Sequence, residues 1–237
     1  MEESDLEEIL RTNVGSIERL WKSWITTFEM LRDRGISVNE ENFMTLEDFG
    51  AWVNPDDLED AHLNMKVIRT TLGCIVRDDS SGGVEKAYQL FWKDTMKWVD
   101  LEEISNSMKD NLISKAIVIH SSKITPAALA SLRDLKRGQT IIETFSESEM
   151  QYNVTHSDSV PKHIICPPAK KQQVFDSYKI NKNQMILISA SDPVVRYLGA
   201  VKGQMIKIIR PSDSIQQVTL PSGEVEILYD ISYRLVS

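Results

Sequence analysis

The sequence predicts an α/β protein, of the mixed α+β kind, that is divided into two domains. Three observations support this prediction. Apolar residues near the N-terminus recur every three or four positions, which is typical of a helix with one buried face. Several later segments are short, apolar and bounded by Gly, Pro, Asp or Ser, as strands usually are. The net charge also changes sign along the chain.

The change in charge marks the boundary between the predicted domains. Residues 1–159 contain 17 Lys and Arg against 29 Asp and Glu, a balance of −12, whereas residues 160–237 contain 10 against 6, a balance of +4. We therefore expect an N-terminal α/β domain at 1–158 and a small C-terminal mixed α/β domain at 159–237. Because most nucleic-acid affinity comes from neutralised phosphates, the acidic domain is not expected to bind DNA tightly by itself.

The first predicted element is an amphipathic helix that begins near Val14 and stops at Gly35. Its apolar stripe consists of Ile17, Trp21, Trp24, Phe28 and Leu31. Two tryptophans on such a stripe indicate a core or a docking face rather than a cofactor site. Thr45 and Asp48 have the spacing of a capping box, so a short helix is expected to follow them.

The other elements of the N-terminal domain are predicted from local patterns. Strands are expected at 36–38, 65–76, 116–120, 140–145 and 150–155, and a helix is expected at 101–112. Residues 85–98 could form either a strand or a helix. Thr125, Pro126 and Ala127 begin another helix, with Thr125 as its cap and Pro126 in its first turn. Free N–H groups at this helix start favour an anion such as a DNA phosphate, although an ordinary capped helix explains the same residues.

The most specific local pattern of the C-terminal domain begins at Asp192. Asp192 and Pro193 form a helix-entry signal, because the carboxylate caps free N–H groups and proline suits the first helical position. Gly199 is the expected left-handed stop of this helix, and Gly203 the expected turn into the next strand. None of these residues has a catalytic pattern.

Farther along the chain, a β-hairpin is predicted around residues 213–230. Pro221, Ser222 and Gly223 have the composition of its turn, and alternate apolar residues continue from Val225 to Leu235. A strand of that length would extend an apolar face beyond its own domain, where a partner is needed to cover it.

Residues that usually catalyse reactions or bind metals do not form recognised patterns. Cys74 and Cys166 cannot make a disulfide framework, and the chain contains no Cys-x-x-Cys pair. Its histidines are scattered, and no nucleophile motif is present. No apolar run approaches the ~20 residues that span a bilayer. We therefore predict no enzyme activity, metal, cofactor, small-molecule substrate or membrane partner.

Three blocks of sequence resemble one protein family. They contain Arg19-Leu20-Trp21 with Asp33-Arg34-Gly35 and Leu46-Glu47-Asp48-Phe49, then Ile142-Glu143-Thr144-Phe145 with Asn153-Val154-Thr155-His156 and Val160-Pro161-Lys162-His163, and finally Asp192-Pro193, Tyr197, Gly199, Gly203, Lys207-Ile208 and Arg210. Because the blocks follow the family's order over nearly the whole chain, the sequence is identified as similar to the fifth subunit shared by eukaryotic RNA polymerases I, II and III. The C-terminal domain of this family is related to a component of the archaeal polymerase.

The resemblance implies a non-catalytic polymerase subunit in the nucleus, or in the nucleolus if it serves polymerase I alone. Its N-terminal domain would be similar in topology to restriction-type nucleases and would form part of the lower jaw of the polymerase. Thr125, Pro126 and Ala127 would then face downstream duplex DNA. Its C-terminal domain would dock on the largest subunit, while zinc and magnesium would belong to other subunits. The assembly contacts that the resemblance implies are Pro161, His163, Asp192, Pro193, Tyr197, Gly199, Gly203, Lys207, Arg210 and Tyr233.

The sequence also departs from this family. The insertion at 213–230 and the Cys166-Pro167-Pro168 segment are unusual. They suggest a polymerase-class-specific paralogue, a distant eukaryotic lineage or a viral copy. A free-standing transcription adaptor of the same fold is an alternative function, whereas a sequence-specific DNA regulator lacks a recognition motif and conflicts with the acidic half.

A nuclease is the enzymatic alternative. Restriction-type nucleases need an acidic residue and an (Asp/Glu)-x-Lys pair on adjacent strands. Asp134-Leu135-Lys136 fits the pair formally, but it follows a helical pattern and no companion carboxylate is evident.

Overall fold

The computed structural model describes residues 3–53, 65–78, 86–135, 140–211, 218–219, 225–226 and 229–237. The chain divides into two compact units, Met1–Tyr152 and Asn153–Ser237. The sequence places the domain boundary slightly later, at 158/159, and that functional boundary stays a prediction. Among the described residues, no helix is long and apolar enough to cross a membrane.

The first unit combines five helices and four strands within the described residues. In chain order they are α1 Glu3–Asp33, α2 Leu46–Val53, α3 Met65–Thr71, β1 Cys74–Asp78, β2 Lys86–Lys93, α4 Trp98–Asp110, β3 Lys115–His120, α5 Pro126–Leu135 and β4 Ile141–Ser146. The strands form one sheet in the order β1-β2-β3-β4. Strands β1 and β2 are antiparallel, whereas β2, β3 and β4 run parallel to one another.

Helices α4 and α5 pack on one face of this sheet. Their apolar side chains meet those of β3 and β4 in a buried cluster of Met96, Leu101, Ile104, Met108, Ala116, Val118, Ala128, Leu132 and Ile142. Parallel strands end at the same edge, and the register aligns Lys93, His120 and Ser146 there. Both helices begin at this carboxyl edge, since α4 follows β2 and α5 follows β3.

Helix α1 packs on the opposite face through an aromatic cluster. The Trp24 ring stacks on the Trp92 ring of β2 with centroids 5.2 Å apart, and the Trp92 indole N–H donates to the Ser23 hydroxyl at 3.1 Å. Phe28 and Phe49 complete the cluster and are fully buried. The predicted core role of this helix is therefore confirmed. The helix begins at Glu3, earlier than the pattern from Val14 predicts.

Two local predictions about helix ends are confirmed. Gly35 has a φ of 78°, the left-handed conformation expected after α1. The Thr45 hydroxyl accepts from the Asp48 N–H at 3.2 Å and donates to the Asp48 carboxylate at 2.7 Å, so Thr45 caps α2.

Three predicted strands of this unit are wrong. Residues 65–76 form α3 and the start of β1. The Arg69 guanidinium of α3 pairs with the Glu147 carboxylate beyond β4, with Nη2 and Oε2 3.0 Å apart. Residues 150–155 form turns and part of a short 3-10 helix, in which the Asn153 side chain accepts from the Thr155 N–H at 2.9 Å. Residues 36–38 pair with no strand among the described residues.

The second unit contains two helices and six strands within the described residues. They are β5 Lys162–Cys166, α6 Pro168–Tyr178, β6 Leu187–Ile188, α7 Pro193–Tyr197, β7 Met205–Pro211, β8 Val218–Thr219, β9 Val225–Glu226 and β10 Tyr229–Val236. Four of the strands form a mixed sheet in the order β5-β7-β10-β6. β8 and β9 pair antiparallel within the range of the predicted hairpin, whose turn residues lie outside the described residues.

One helix packs on each face of the four-stranded sheet. Helix α6 packs on one face against Cys166, Met205 and Leu235, and we call this the α6 face. Val195 of α7 packs on the other face with Ile188, Ile206, Ile208 and Val236, which we call the α7 face. Because side chains alternate along a strand, each strand contributes to both faces.

Candidate assembly interface

Asp192 and Pro193 form the start of α7 as the sequence predicts. The Asp192 carboxylate accepts from the N–H groups of Val194 and Val195 at 2.9 and 3.2 Å. Pro193 occupies the first helical turn, where its missing N–H has no partner to lose. These contacts fix the entry of α7, so Val195 points into the core of the α7 face.

The two glycines after α7 are confirmed as left-handed turns. Gly199 has a φ of 67° and Gly203 a φ of 88°. The Gly203 N–H donates to the Val236 carbonyl at 2.8 Å, and its own carbonyl accepts from the Lys171 ammonium of α6 at 2.7 Å. The turn at Gly203 thus ties β10 and α6 to the beginning of β7.

Five of the ten predicted contact residues therefore serve the fold of the unit. Asp192 and Pro193 cap a helix, the two glycines make turns, and Tyr197 is only 4% exposed. A buried side chain cannot contact a partner without rearrangement, so these residues would act on assembly by fixing the sheet and its edges.

The other five predicted residues reach the surface but lie on different faces. Arg210 is exposed, and Pro161, His163, Lys207 and Tyr233 are half-buried. Lys207 and Tyr233 are opposite each other in the β7–β10 ladder, on the α6 face. His163 is opposite Ile208, on the α7 face. The structure therefore brings Lys207 and Tyr233 together and separates them from His163.

The α6 face continues beyond the cover of α6. Ile164 of β5 and Ile231 of β10 lie on this face with exposed fractions of 39% and 49%. Tyr233 borders the covered part, with its ring centroid 6.4 Å from that of Tyr178. Burial raises the pKa of Tyr233, and the Cys166 thiol and Tyr178 raise it further. An apolar strip is thus left beside a neutral phenol.

Sequence reasoning missed the open edge of this sheet and two buried polar atoms on β10. The Ser232 hydroxyl and the Arg234 Nε are buried without a hydrogen-bond partner among the described residues. The order of the strands, which places β5 at an edge, follows from pairing between distant segments. The only local signal was a proline on either side of β5, at Pro161 and Pro167.

In the first unit, Thr125 caps α5 as predicted. Its hydroxyl accepts from the Ala128 N–H at 3.4 Å, and its own N–H donates to the Met96 carbonyl at 3.1 Å. Pro126 and Ala127 are exposed at the carboxyl edge of the sheet. The exposed Lys97 and Lys123 belong to the loops that precede α4 and α5, which gives this edge cations within an acidic unit.

The nuclease alternative gains no support from the geometry. Asp134 lies in helix α5 rather than on a strand, and Lys136 lies outside the described residues. Within the described ranges, no three His, Cys, Asp or Glu side chains come together in a group that could hold a metal ion.

Two sequence profiles of known families match the chain. The profile described as "RNA polymerase Rpb5, N-terminal domain" matches residues 15–110, and "RNA polymerase Rpb5, C-terminal domain" matches residues 152–220. The two matches follow each other in the order of the compact units.

Curated relatives match over most of the chain. The chain is 30% identical over 198 residues to "DNA-directed RNA polymerases I, II, and III subunit RPABC1" of Caenorhabditis briggsae, which covers 83% of this chain and 90% of the relative. It is 33% identical over 147 residues to the protein of the same description from Dictyostelium discoideum, covering 61% of this chain and 73% of the relative. Taken with the matched profiles and the two-unit fold, these relationships show that the chain belongs to the Rpb5 family of DNA-directed RNA polymerase subunits.

Proposed function

We propose that this polymerase subunit is non-catalytic and docks on the largest subunit through its second unit. The uncovered part of the α6 face supports this proposal, because Ile164 and Ile231 are exposed there beside Tyr233. A sheet face of this kind needs a partner, because exposed apolar area is costly and promotes non-specific association. Lys207 lies in the same row and favours an acidic partner surface.

The first unit would contribute to the lower jaw near downstream duplex DNA. Support comes from the exposed start of α5 at Pro126 and Ala127 and from Lys97 and Lys123 at the same edge. Helix-start N–H groups and ammonium groups suit phosphate oxygens, which position a duplex without reading its sequence. The unit as a whole is acidic, so we expect this contact only within the assembled polymerase.

This function places the subunit in the nucleus, and in the nucleolus if it serves polymerase I. It requires no cofactor or metal of its own. The ribbon of β8 and β9 would help to select the polymerase class, as its insertion into the family's pattern suggests.

The docking proposal is tested with an epitope-tagged full chain that is purified from its own cells under native conditions. Ile231→Glu places a charge on the exposed strip and should sharply reduce recovery of the largest subunit. The matched control is Ile75→Glu, on β1 of the first unit, where the parent side chain is 38% exposed. Equal recovery with both variants would contradict docking through the α6 face.

A further inference from the structure

Strand β5 is an edge strand. The four-stranded sheet has the order β5-β7-β10-β6, so β5 pairs with β7 on one side. Among the described residues, no strand pairs with its other side. Edge strands expose unpaired N–H and C=O groups to which another chain can add, and proteins usually blunt or cover them.

The hydrogen bonds of β10 show which way the N–H and C=O groups of each strand in this sheet point. In an antiparallel ladder each residue directs both its N–H and its C=O to the same side, and successive residues alternate. The Val236 N–H donates to Gln204 at 2.9 Å, and its carbonyl accepts from Gly203 at 2.8 Å. The Leu235 N–H instead donates to Ile186, next to β6, at 2.9 Å. Even-numbered residues of β10 therefore face β7.

The register carries this alternation across to β5. Even-numbered residues of β10 are opposite even-numbered residues of β7, as in the pair Arg234 and Ile206. The odd-numbered residues of β7 must then face β5, where their partners are Lys162, Ile164 and Cys166. It follows that the main-chain groups of His163 and Ile165 point outward from the sheet.

Prolines limit this open edge on both sides. Pro161 and Pro167 occupy the next outward positions, and neither has an N–H to donate. The Pro161 carbonyl already accepts from the His163 imidazole, with Nδ1 2.6 Å from the oxygen. Within the described residues, no hydrogen bond reaches the main-chain groups of His163 or Ile165. The edge thus offers two donors and two acceptors over three residues.

The surroundings of this edge favour an acidic partner over a second copy of the chain. The outer surface of β5 combines the exposed Ile164, the half-buried Ile165 and the exposed Lys162. Residues 160–237 contain 10 Lys and Arg against 6 Asp and Glu, so two copies paired through β5 would bring together two regions with a balance of +4 each. A segment with carboxylates has the complementary charge.

We propose that a short extended segment of the partner subunit adds to β5 as a fifth strand, bonded to the main-chain groups of His163 and Ile165. This inference rests on the proposed docking function and specifies how that docking occurs. The segment places an apolar side chain beside Ile164 and, two residues along on the same face, a carboxylate near Lys162. The two prolines restrict the pairing to one short register, and the side chains beside Ile164 and Lys162 add specificity.

Strand addition predicts that a backbone N–H matters more than the side chain that accompanies it. Ile165→Pro removes an outward donor and leaves the β5–β7 bonds intact, whereas Ile165→Ala removes a similar apolar contact and keeps the donor. We expect Ile165→Pro to recover about tenfold less of the largest subunit than Ile165→Ala. The reason is that the carbonyl of the added segment that would accept from the Ile165 N–H is left without a hydrogen bond. The N–H of Ile164 faces β7 instead. Ile164→Pro should therefore lower the melting temperature of the free full chain.

Amide hydrogen exchange gives a second readout on the wild-type chain. In the free chain the amides of His163 and Ile165 should exchange fast, although those of Ile164 and Cys166 are protected. In the native polymerase complex all four should be protected. Equal recovery with Ile165→Pro and Ile165→Ala, or fast exchange of His163 and Ile165 in the complex, would overturn strand addition alone.

Two further outcomes distinguish a failure of strand addition at β5 from a failure of docking on the largest subunit. If the wild-type chain recovers no largest subunit, the docking function fails and strand addition fails with it. If the free chain is a dimer in which the His163 and Ile165 amides are already protected, the edge belongs to a second copy and the proposal is overturned.

Discussion

The guanidinium of Arg34 and the carboxylate of Glu143 form a bidentate ion pair, with N–O distances of 2.9 and 2.7 Å. Arg34 directly follows α1, and Glu143 lies in β4, 109 residues later. Burial tends to lower the pKa of Arg34, but the Glu143 carboxylate and Tyr88 outweigh this effect and raise it. The pair joins two of the sequence blocks that resemble the family and locks the end of α1 onto the sheet.

Removing one partner of this pair should destabilise the first unit. The Arg34 side chain is 4% exposed and that of Glu143 22%, so Glu143→Ala leaves a charge that water reaches poorly. We expect a loss of about 2–4 kcal/mol in the free energy of unfolding, which overlaps the range for a fully buried pair but starts lower because Glu143 is partly exposed. The double variant Arg34→Met, Glu143→Met should recover part of this loss. Denaturant unfolding of the full chain measures both.

The control for this prediction is the exposed pair of Lys22 and Glu18 on α1. Their side chains are 42% and 43% exposed, and Lys22→Ala should leave the unfolding midpoint unchanged. A loss for Glu143→Ala no larger than that for Lys22→Ala would show that the Arg34–Glu143 pair adds nothing to stability.

Gly203 should resist replacement because of its backbone alone. Its φ is 88°, and a Cβ built there meets no atom within 4 Å, so crowding contributes nothing. We expect Gly203→Val to cost about 1–3 kcal/mol of stability in the second unit, and Gly203→Asn clearly less, because asparagine tolerates left-handed backbone. Thermal unfolding of both variants tests this. Equal melting temperatures for Gly203→Val and the wild type would contradict the strained turn.

The Cys74 thiol should be nearly inert to alkylation at neutral pH. Burial in β1 raises its pKa to about 12. The reactive thiolate is therefore roughly a thousandfold scarcer at pH 8 than in a free cysteine. Labelling by iodoacetamide, followed by mass spectrometry of the Cys74 peptide, should keep accelerating as the pH rises above 9, where an ordinary cysteine levels off. A plateau near pH 9 in the folded chain would contradict the raised pKa.

The same shift predicts a loss of stability at high pH. Above about pH 9 the unfolded thiol ionises while the folded one stays protonated, so the folded state binds more protons and stability falls as the pH rises towards 12. Cys74→Ala should reduce this slope. An unchanged slope would show that Cys74 does not cause it.

The start of α5 should lie next to downstream DNA in the elongating polymerase. A photoreactive group attached through Ala127→Cys, in a chain with Cys74→Ser and Cys166→Ser, should crosslink to duplex ahead of the active site. The control position is Leu112, which is 94% exposed. It follows α4 and precedes β3, so it lies at the opposite edge of the sheet from Ala127. Crosslinks from Ala127→Cys to protein only would contradict the jaw proposal.

The sequence predicts the features that depend on neighbouring residues. The Asp192 cap, the Thr45 cap and the left-handed Gly199 and Gly203 need only a few adjacent positions, and all are confirmed. Their chemistry is local because a cap satisfies the N–H groups next to it and a glycine adopts its own φ.

The features that depend on distant residues could not be predicted from the sequence. The alternating pattern at 65–76 favours a strand, but the structure contains helix α3, whose Arg69 is bonded to Glu147. Likewise, the family pattern includes Tyr197 as a contact, although only the packed structure shows that its side chain is buried. The strand order that exposes β5 arises from pairings that no local pattern encodes.

Native size-exclusion chromatography of cell extract shows whether the chain works as a docked polymerase subunit. The untagged chain is followed by antibody, and the largest polymerase subunit by mass spectrometry of the same fractions. If the docking proposal is right, most of the chain elutes with the largest subunit in one large complex. Elution of most of the chain as a small free species would rule out docking as its main state and favour a free-standing adaptor.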